Sequence, residues 1–387
     1  MDPRGTYFAH SEGGNIASMK RVLIAVSMGA SILLAACGGT TATNTPATGG
    51  AGSPVPPTAA LQGTGATFPA PFYDAARFAY NLKYGQVTVN YNPLGSGAGI
   101  SALTKKVVDF GASDVPMSAT ELAAAGGADG IVQIATTLGT ESLAYNLSGV
   151  ANGQLKLTPT TIAGIFLGTI KKWNDPALAA DNSGVTLPNQ AISVVHRSDG
   201  SGTTYIFTDY LSTVSADWKS KVGKGKSVSW PIGQGAKGNE AVATTIKQTP
   251  GAIGYVELAY VLQTNMTQAS LQNHDGSFVI PSADGATAAA SQFLTINPTQ
   301  FSIVDAPGRT SAPISGYSWL MLYKDQADKA KGTALVDYLD WLVTDGQQYA
   351  VNLHYAKLPA NLVKDDIISL KTVTSGGSTL LNVPSPS

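Results

Sequence analysis

Cysteine and charged side chains are both scarce in this sequence, and each scarcity excludes a class of protein. Cys37 is the only cysteine among 387 residues, so no internal disulfide can form. Only 13% of the residues are charged and the formal net charge is −1, whereas about one quarter of an average protein is charged. Lysine and arginine form no basic block, and the sequence therefore argues against nucleic acid as a partner.

Histidine is also scarce, which bears on metals and catalysis. The 4 histidines are scattered, and no group of imidazole and carboxylate side chains has the spacing of a metal site. Ser201 has no evident base, because His196 lies on a predicted strand from which its ring is expected to point away. We therefore predict no metal, no cofactor and no enzymatic activity.

Long apolar runs are absent as well, with one exception near the N-terminus. The run at 22–34 is too short to span a bilayer and follows Lys20 and Arg21, as the apolar part of an export signal does. Residues 1–18 match no part of such a signal. We predict that residues 1–36 comprise an upstream extension and a cleaved signal peptide.

The signal ends at a sequence that predicts a lipid anchor. Cys37 follows Leu-Ala-Ala, which resembles a bacterial lipobox, where the thiol takes a diacylglyceryl group. An ordinary signal peptide that ends at cysteine is the alternative. The following residues are mostly Gly, Thr, Ala, Ser and Pro, so we predict a flexible tether over 37–61. The protein is then exported and anchored to a membrane, facing the periplasm or the cell exterior.

Glycine, serine and threonine are abundant, and they concentrate at predicted helix starts. The segment HRSDGSGT, from His196 to Thr203, follows the apolar run 191–195. Its arginine, its hydroxyls and the free backbone N–H groups of a helix start all donate hydrogen bonds, and the helix dipole adds partial positive charge. The segment therefore suits an oxyanion, although a capped turn without a ligand is the alternative.

Two further segments have the same character. TGATFPAP at 64–71 and PLGSGAGI at 93–100 both lead into apolar positions at helical spacing. Three helix starts of one kind indicate one shared ligand.

A strand-like run that begins at Val107 ends in a carboxylate, Asp114, within the segment VDFGASD at 108–114. Asp114 either caps the next segment or faces the anion. A carboxylate fits only an anion that carries a proton, because it accepts the P–OH hydrogen of phosphate and repels fully ionised sulfate.

Together with WPIGQGAKGNE and PGAIGYVE further on, these motifs resemble the periplasmic phosphate-binding proteins that feed ABC-type phosphate uptake. The resemblance runs in order from about Leu61 to Val363. It implies that Asp199 pairs with the arginine and holds it in place. Gly97 and Ala98 depart from the pattern, since many relatives have Ser and Gly there. The implied phosphate-binding groups are Thr67, the backbone at Phe68, Ser96, Asp114, Arg197, Ser201, Gly202 and Thr203.

The alternation of short apolar runs with amphipathic helices predicts an α/β protein. One helix is predicted over 158–167, between a threonine cap and Gly168. The five tryptophans are expected to pack in the core or on a lobe surface rather than to touch a ligand. The predicted strands are 87–91, 107–110, 141–146, 191–195, 252–256 and 317–322.

The resemblance implies a two-lobe periplasmic-binding-protein fold of type II, with two crossings between the lobes. We place the crossings near 138–141 and 313–317. Lobe 1 then comprises 62–140 and 313–387, and lobe 2 comprises 141–312, with the ligand in the cleft.

By resemblance, the protein is a monomer that captures inorganic phosphate with high affinity and delivers it to an ABC-type permease. The alternatives are a phosphatase or a phosphate-sensing surface protein that uses the same cleft, and a surface scaffold or adhesin. Scattered histidines argue against the phosphatase. The recurrence of donor-rich segments with one acceptor argues against the scaffold.

Overall fold

The computed structural model describes residues 55–381; the predicted signal peptide, Cys37 and most of the predicted tether lie outside this range. The strands are β1 (Ala59–Gly65), β2 (Val87–Asn92), β3 (Phe110–Ser113), β4 (Ile131–Tyr145), β5 (Lys156–Leu157), β6 (Ser193–Arg197), β7 (Gln234–Ala236), β8 (Ala252–Glu257), β9 (Thr267–Gln268), β10 (Ser270–Gln272), β11 (Phe278–Val279), β12 (Ser315–Tyr323), β13 (Thr374–Ser375) and β14 (Ser378–Thr379).

The helices lie between these strands and after them. They are α1 (Ala70–Lys83), α2 (Ser96–Thr104), α3 (Ala119–Ala124), α4 (Pro159–Leu167), α5 (Pro176–Asp181), α6 (Gly202–Val214), α7 (Ala216–Lys221), α8 (Gly238–Gln248), α9 (Leu258–Gln263), α10 (Ala283–Ala290), α11 (Lys329–Val343), α12 (Gln348–Val351) and α13 (Ala360–Leu370). Within residues 55–381, none of the helices is both long and apolar enough to cross a membrane.

Local signals set the ends of α4, the helix predicted over 158–167. The Thr158 hydroxyl accepts a hydrogen bond from the backbone N–H of Thr161, and the Thr161 hydroxyl accepts one from the backbone N–H of Thr158. Pro159 opens the helix, and Gly168 ends it at a φ of 74° that favours glycine. The predicted helix is therefore confirmed.

The main sheet has the order β2-β1-β3-β12-β4-β8-β6-β7. The pairs β1 with β2 and β3, and β6 with β7 and β8, are parallel, while β12 and β4 run antiparallel to their neighbours. The carboxyl ends of β1 and β3 on one side and of β6 on the other lead into the loops that carry the predicted site residues.

Strand β4 joins the two halves of this sheet. Its residues pair with β12 as far as Thr140, opposite Ser315, and with β8 from Glu141 onward. The backbone N–H of Glu141 also donates to the carbonyl of Ile314, where the chain returns. Strand β4 therefore changes its antiparallel partner from β12 to β8 at residues 140 and 141, and the chain returns beside this point at the start of β12.

The starts of β1 and β3 differ from the prediction. Strand β1 begins at Ala59, so residues 59–61 of the predicted tether pair with β2. Strand β3 begins at Phe110 rather than at Val107, whose side chain is 69% exposed in the turn before it. In both cases pairing with a neighbouring strand, rather than side-chain polarity, decides where the strand begins.

Candidate functional site

The structure brings the predicted site residues together in the cleft between the lobes. The starts of α1 and α2 and the end of β3 form one wall, and the end of β6 and the starts of α6 and α8 form the opposite wall. Eight of these residues are buried: Thr67, Phe68, Ser96, Asp114, Arg197, Ser201, Gly202 and Thr203.

Ser96 links the two walls of the cleft. Its hydroxyl oxygen accepts a hydrogen bond from the backbone N–H of Asp114 at 3.2 Å and another from the backbone N–H of Gly202 at 3.0 Å. The N–H of Gly97 donates to the carbonyl of Gly200 at 2.8 Å, so this departure from the family pattern forms a contact between the lobes.

Gly202 meets Asp114 across the cleft so closely that only glycine fits. A Cβ built on Gly202 would lie 2.4 Å from the Asp114 Cβ and 2.5 Å from its Oδ2. The start of α6 therefore faces one carboxylate oxygen of Asp114 directly. The other oxygen, Oδ1, accepts a hydrogen bond from the Ser318 hydroxyl at 2.7 Å.

Arg197 supplies the positive charge of the site and is held by Asp199, as the resemblance implied. Its Nε donates to Asp199 Oδ1 at 2.8 Å and its Nη2 to Oδ2 at 2.5 Å, while Nη1 donates to the Thr203 hydroxyl at 3.2 Å. The Arg197 charge and the Gly238 N–H outweigh the effect of burial and lower the pKa of Asp199. Two of the five guanidinium N–H donors are not used by these bonds.

Asn239 is a site residue that sequence reasoning missed. Its Nδ2 donates to the hydroxyl oxygens of Thr67 at 2.9 Å and of Thr203 at 3.1 Å, and thus joins lobe 1 to lobe 2. Its Oδ1 accepts from the backbone N–H of Glu257. The sequence did contain a signal for Asn239, because this residue follows Gly238 at the start of α8 within the motif WPIGQGAKGNE.

Asp114 has an unusual proton affinity. Burial raises the pKa of its carboxyl group to about 7, against the opposing effects of the Ser318 hydrogen bond and the Arg197 charge. Near neutral pH the Asp114 carboxyl group is therefore partly protonated and partly ionised. This suits an anion that gains and loses a proton in the same pH range.

Ser201 and His196 are both engaged in contacts with neighbouring residues. The Ser201 hydroxyl accepts from the backbone N–H of Thr204 and caps α6. His196 stacks on Trp230 with ring centroids 4.7 Å apart, and its Nδ1 lies 3.0 Å from the Arg197 carbonyl. Between residues 55 and 381, no group of three or more His, Cys, Asp or Glu side chains could hold a metal ion.

Two further carboxyl groups lie in the strands beneath the cleft. Glu141 on β4 is directly opposite Glu257 on β8, so both side chains are on one face, and both are fully buried. Glu257 Oε2 accepts from the Ala259 N–H and the Tyr355 hydroxyl, whereas both oxygens of Glu141 lack a hydrogen-bond partner. Burial raises the pKa of each group well above its ordinary value, and each is raised further by the charge of Asp114.

We expect Glu141→Gln to stabilise the protein at neutral and higher pH. Because the folded-state pKa of Glu141 is raised, the folded protein binds a proton that the unfolded chain has released above its own pKa. The stability of the wild type therefore falls as pH rises, and glutamine removes this penalty while offering its amide to Glu257 Oε1, which has no partner. Thermal unfolding at pH 8 and pH 4 measures the effect: the variant gains stability at pH 8 and little at pH 4. An equal change at both values would contradict this reasoning.

Comparison with known proteins agrees with the motifs and the fold. The model of the PBP superfamily domain matches residues 40–345. The phosphate-binding protein PstS of Xylella fastidiosa (strain 9a5c) is 44% identical over 306 residues, covering 79% of this chain and 83% of the relative. PstS of Pasteurella multocida (strain Pm70) is 43% identical over 325 residues, covering 83% and 93%.

A solved structure, the phosphate-binding protein from Stenotrophomonas maltophilia, shares the fold with a TM-score of 0.63 at 20% identity, covering 80% of this chain and 93% of that one. The predicted two-lobe α/β architecture is confirmed. The chain belongs to the PBP superfamily and, within it, to the family of PstS phosphate-binding proteins.

Proposed function

We propose that this protein binds inorganic phosphate in the cleft and delivers it to an ABC-type phosphate permease. The observation that carries the proposal is the pairing of one buried carboxyl group, Asp114, with a wall of hydrogen-bond donors around Arg197. A fully ionised anion needs only hydrogen-bond donors from the protein, whereas phosphate near neutral pH also has a P–OH group that needs a hydrogen-bond acceptor. Its relatives, named phosphate-binding proteins, support the same ligand.

The contacts between the lobes support capture by closure. Ser96 and Gly202, Gly97 and Gly200, and Thr67 and Asn239 join residues of opposite lobes. An anion that contacts both walls favours the closed form over the open form by the difference in contact energy. A permease then receives the anion when the lobes part.

Isothermal calorimetry with phosphate, arsenate and sulfate tests the ligand. We expect phosphate to bind, arsenate to compete because it is protonated and similar in shape, and sulfate to bind much more weakly. Absence of heat with phosphate, or sulfate binding as tightly, would contradict the proposal.

The site supports a binding protein better than a phosphatase. Ser201 is engaged in capping α6, and His196 is engaged with Trp230 and the backbone. A hydrolytic Ser201 would need a base within hydrogen-bond reach. We therefore infer that the cleft holds phosphate without cleaving esters, and incubation with a chromogenic phosphate monoester should release no product.

Gly202→Ala should weaken phosphate binding about tenfold to a hundredfold, since an added Cβ would collide with Asp114 and force the lobes apart at a cost of about 1–3 kcal/mol. Gly200→Ala is the matched control, because its Cβ would come no nearer than 3.3 Å to Gly97. Calorimetry on both variants checks this, and equal losses would show that the close approach of Gly202 to Asp114 is unimportant.

We also propose that the protein is exported and anchored through Cys37, which lies outside the described residues. Cys37→Ser should prevent acylation and release the protein from the membrane fraction, with its fold unchanged, because strand β1 begins only at Ala59. Mass spectrometry of the mature N-terminus measures the modification. Wild-type protein with a free thiol would contradict the anchor.

A further inference from the structure

An ion pair bridges the two lobes beside the cleft. Glu121 on α3 belongs to lobe 1, and Lys226 lies in lobe 2 between α7 and β7. The Lys226 Nζ lies 2.5 Å from Glu121 Oε1 and 2.7 Å from Oε2, so the ammonium contacts both oxygens. The two side chains are only 20% and 26% exposed, which makes this pair less screened than an open surface contact.

The lysine is attached to the site through its backbone. The carbonyl of Lys226 accepts a hydrogen bond at 2.8 Å from the backbone N–H of Ser201, the residue that caps α6. Two neighbouring contacts hold the same loop on α6: Lys224 pairs with Asp209 at 2.7 Å, and the Gly225 N–H donates to Thr208 at 3.1 Å. Lys226 therefore moves together with α6, whose start carries the proposed anion donors.

The glutamate is fixed just as firmly to the opposite wall. It forms a capping box with Ser118, whose backbone N–H and hydroxyl both donate to Glu121 Oε2 at 2.9 Å. Ser118 caps α3, and it lies four residues after Asp114, the first residue beyond β3. Burial opposes ionisation of Glu121, but the Lys226 contact and the Ser118 N–H outweigh it and lower its pKa. The carboxylate is consequently charged across the neutral range.

We infer that Glu121 and Lys226 form a latch between the lobes that holds the cleft closed and slows the release of its ligand. Neither residue belongs to the anion-contacting set, so the latch acts on the equilibrium between closed and open forms and not on the contacts of the anion. The choice of phosphate as the released ligand rests on the proposed function; the latch itself does not.

Release kinetics test the latch in the full-length protein. Radiolabelled phosphate is bound and then chased with excess unlabelled phosphate. We expect Lys226→Gln to release the label about threefold to tenfold faster than wild type, which corresponds to about 0.7–1.4 kcal/mol. Glu121→Gln should behave alike, because glutamine retains the capping box while losing the charge. The control is Lys221→Gln, which breaks an exposed pair with Asp217 within lobe 2.

Two further measurements distinguish a latch from independent effects of the two substitutions on release. They are the release rate of the variant with both changes, Lys226→Gln and Glu121→Gln, and the dependence of release on salt. Once one partner is neutral, neutralising the other should add little, so the variant with both changes should release at nearly the rate of either single variant. Added salt should speed release from wild type more than from Lys226→Gln.

Hydrogen exchange without added ligand tests whether the Glu121–Lys226 pair holds the cleft closed, and this test does not depend on phosphate binding. The amides of Gly97 and Gly202 donate to acceptors on the opposite lobe, so their exchange reports opening of the cleft. We expect threefold to tenfold faster exchange at both amides in Lys226→Gln and no change in Lys221→Gln. Unchanged exchange would overturn the latch, even if phosphate binds. Faster exchange in a protein that binds no phosphate would support the latch and reject the proposed ligand.

Discussion

Arg197→Ala should weaken phosphate binding by about 3–5 kcal/mol, or roughly a hundredfold to several thousandfold. The guanidinium is almost fully buried and gives three hydrogen bonds, two to Asp199 and one to Thr203. Its removal takes the positive charge from the cleft. It also leaves the Asp199 carboxylate without its partner beside an incoming anion, so part of the loss is repulsion.

A second substitution separates these two contributions. Asp199→Asn in the Arg197→Ala background removes the uncompensated charge, and we expect it to recover about tenfold of the lost affinity. Arg197→Lys should recover only part, because an ammonium cannot bond Asp199 through two parallel N–H groups and also reach Thr203. Calorimetry measures all three variants. If Arg197→Ala and Arg197→Lys both bind as the wild type does, the anion lies elsewhere.

The helix starts that carry the proposed site residues were predictable from sequence because their signals are local. Ser201 is a helix cap followed by Gly202, and the structure places both at the start of α6. The helix over 158–167 is defined by Thr158, Pro159 and Gly168 in the same way. Caps, prolines and glycines act within a few residues, so a sequence pattern records them.

Residues whose roles depend on distant partners were not predictable. Ser318 donates to Asp114 from β12, a partner 204 positions away along the chain. Asn239 joins Thr67 and Thr203 across 172 and 36 positions. No pattern of spacing records such contacts, because they exist only after β12 and α8 have packed against the cleft.

Strand β4 shows why a buried strand that contains polar residues is difficult to recognise in the sequence. Only its last third, from Glu141 onward, was predicted, although it runs without a break from Ile131 to Tyr145. The part that was not predicted contains Thr136, Thr137 and Gly139 in place of an apolar alternation. These threonines are fully buried, and the Thr136 hydroxyl donates to the Ser318 carbonyl, so β12 satisfies a side chain that looks solvent-exposed in the sequence. The Thr137 hydroxyl has no hydrogen-bond partner.

Asp114→Asn should narrow the preference for phosphate over sulfate by about a hundredfold at pH 8. Asparagine keeps the shape but offers an amide that donates as well as accepts. Sulfate should gain roughly tenfold or more, because a carboxylate no longer faces it, and phosphate should lose about tenfold with its charged acceptor. Ser318 loses a charged acceptor in the variant but keeps the amide oxygen, so the fold is expected to remain intact.

The pKa of Asp114 determines how this preference varies with pH. With a pKa of about 7, raised by burial against the Ser318 hydrogen bond and the Arg197 charge, the ligand-free carboxyl group is ionised above pH 7 and protonated below it. Sulfate carries no proton, so it binds well only when Asp114 has taken one up. Sulfate affinity should therefore fall about tenfold for each pH unit above 7 and level off below. Phosphate retains a proton of its own across this range and should show a weaker dependence.

Competition calorimetry with sulfate from pH 6 to pH 9, on wild type and Asp114→Asn, measures this slope. The variant has no group at this position that titrates, so its sulfate affinity should be nearly flat with pH. The Arg197 and Asp199 pair cannot supply the slope, because the pKa of Asp199 is lowered by its partner and lies far below this range. Equal slopes in both proteins would show that the proton distinguishing the two anions is held by a group other than Asp114.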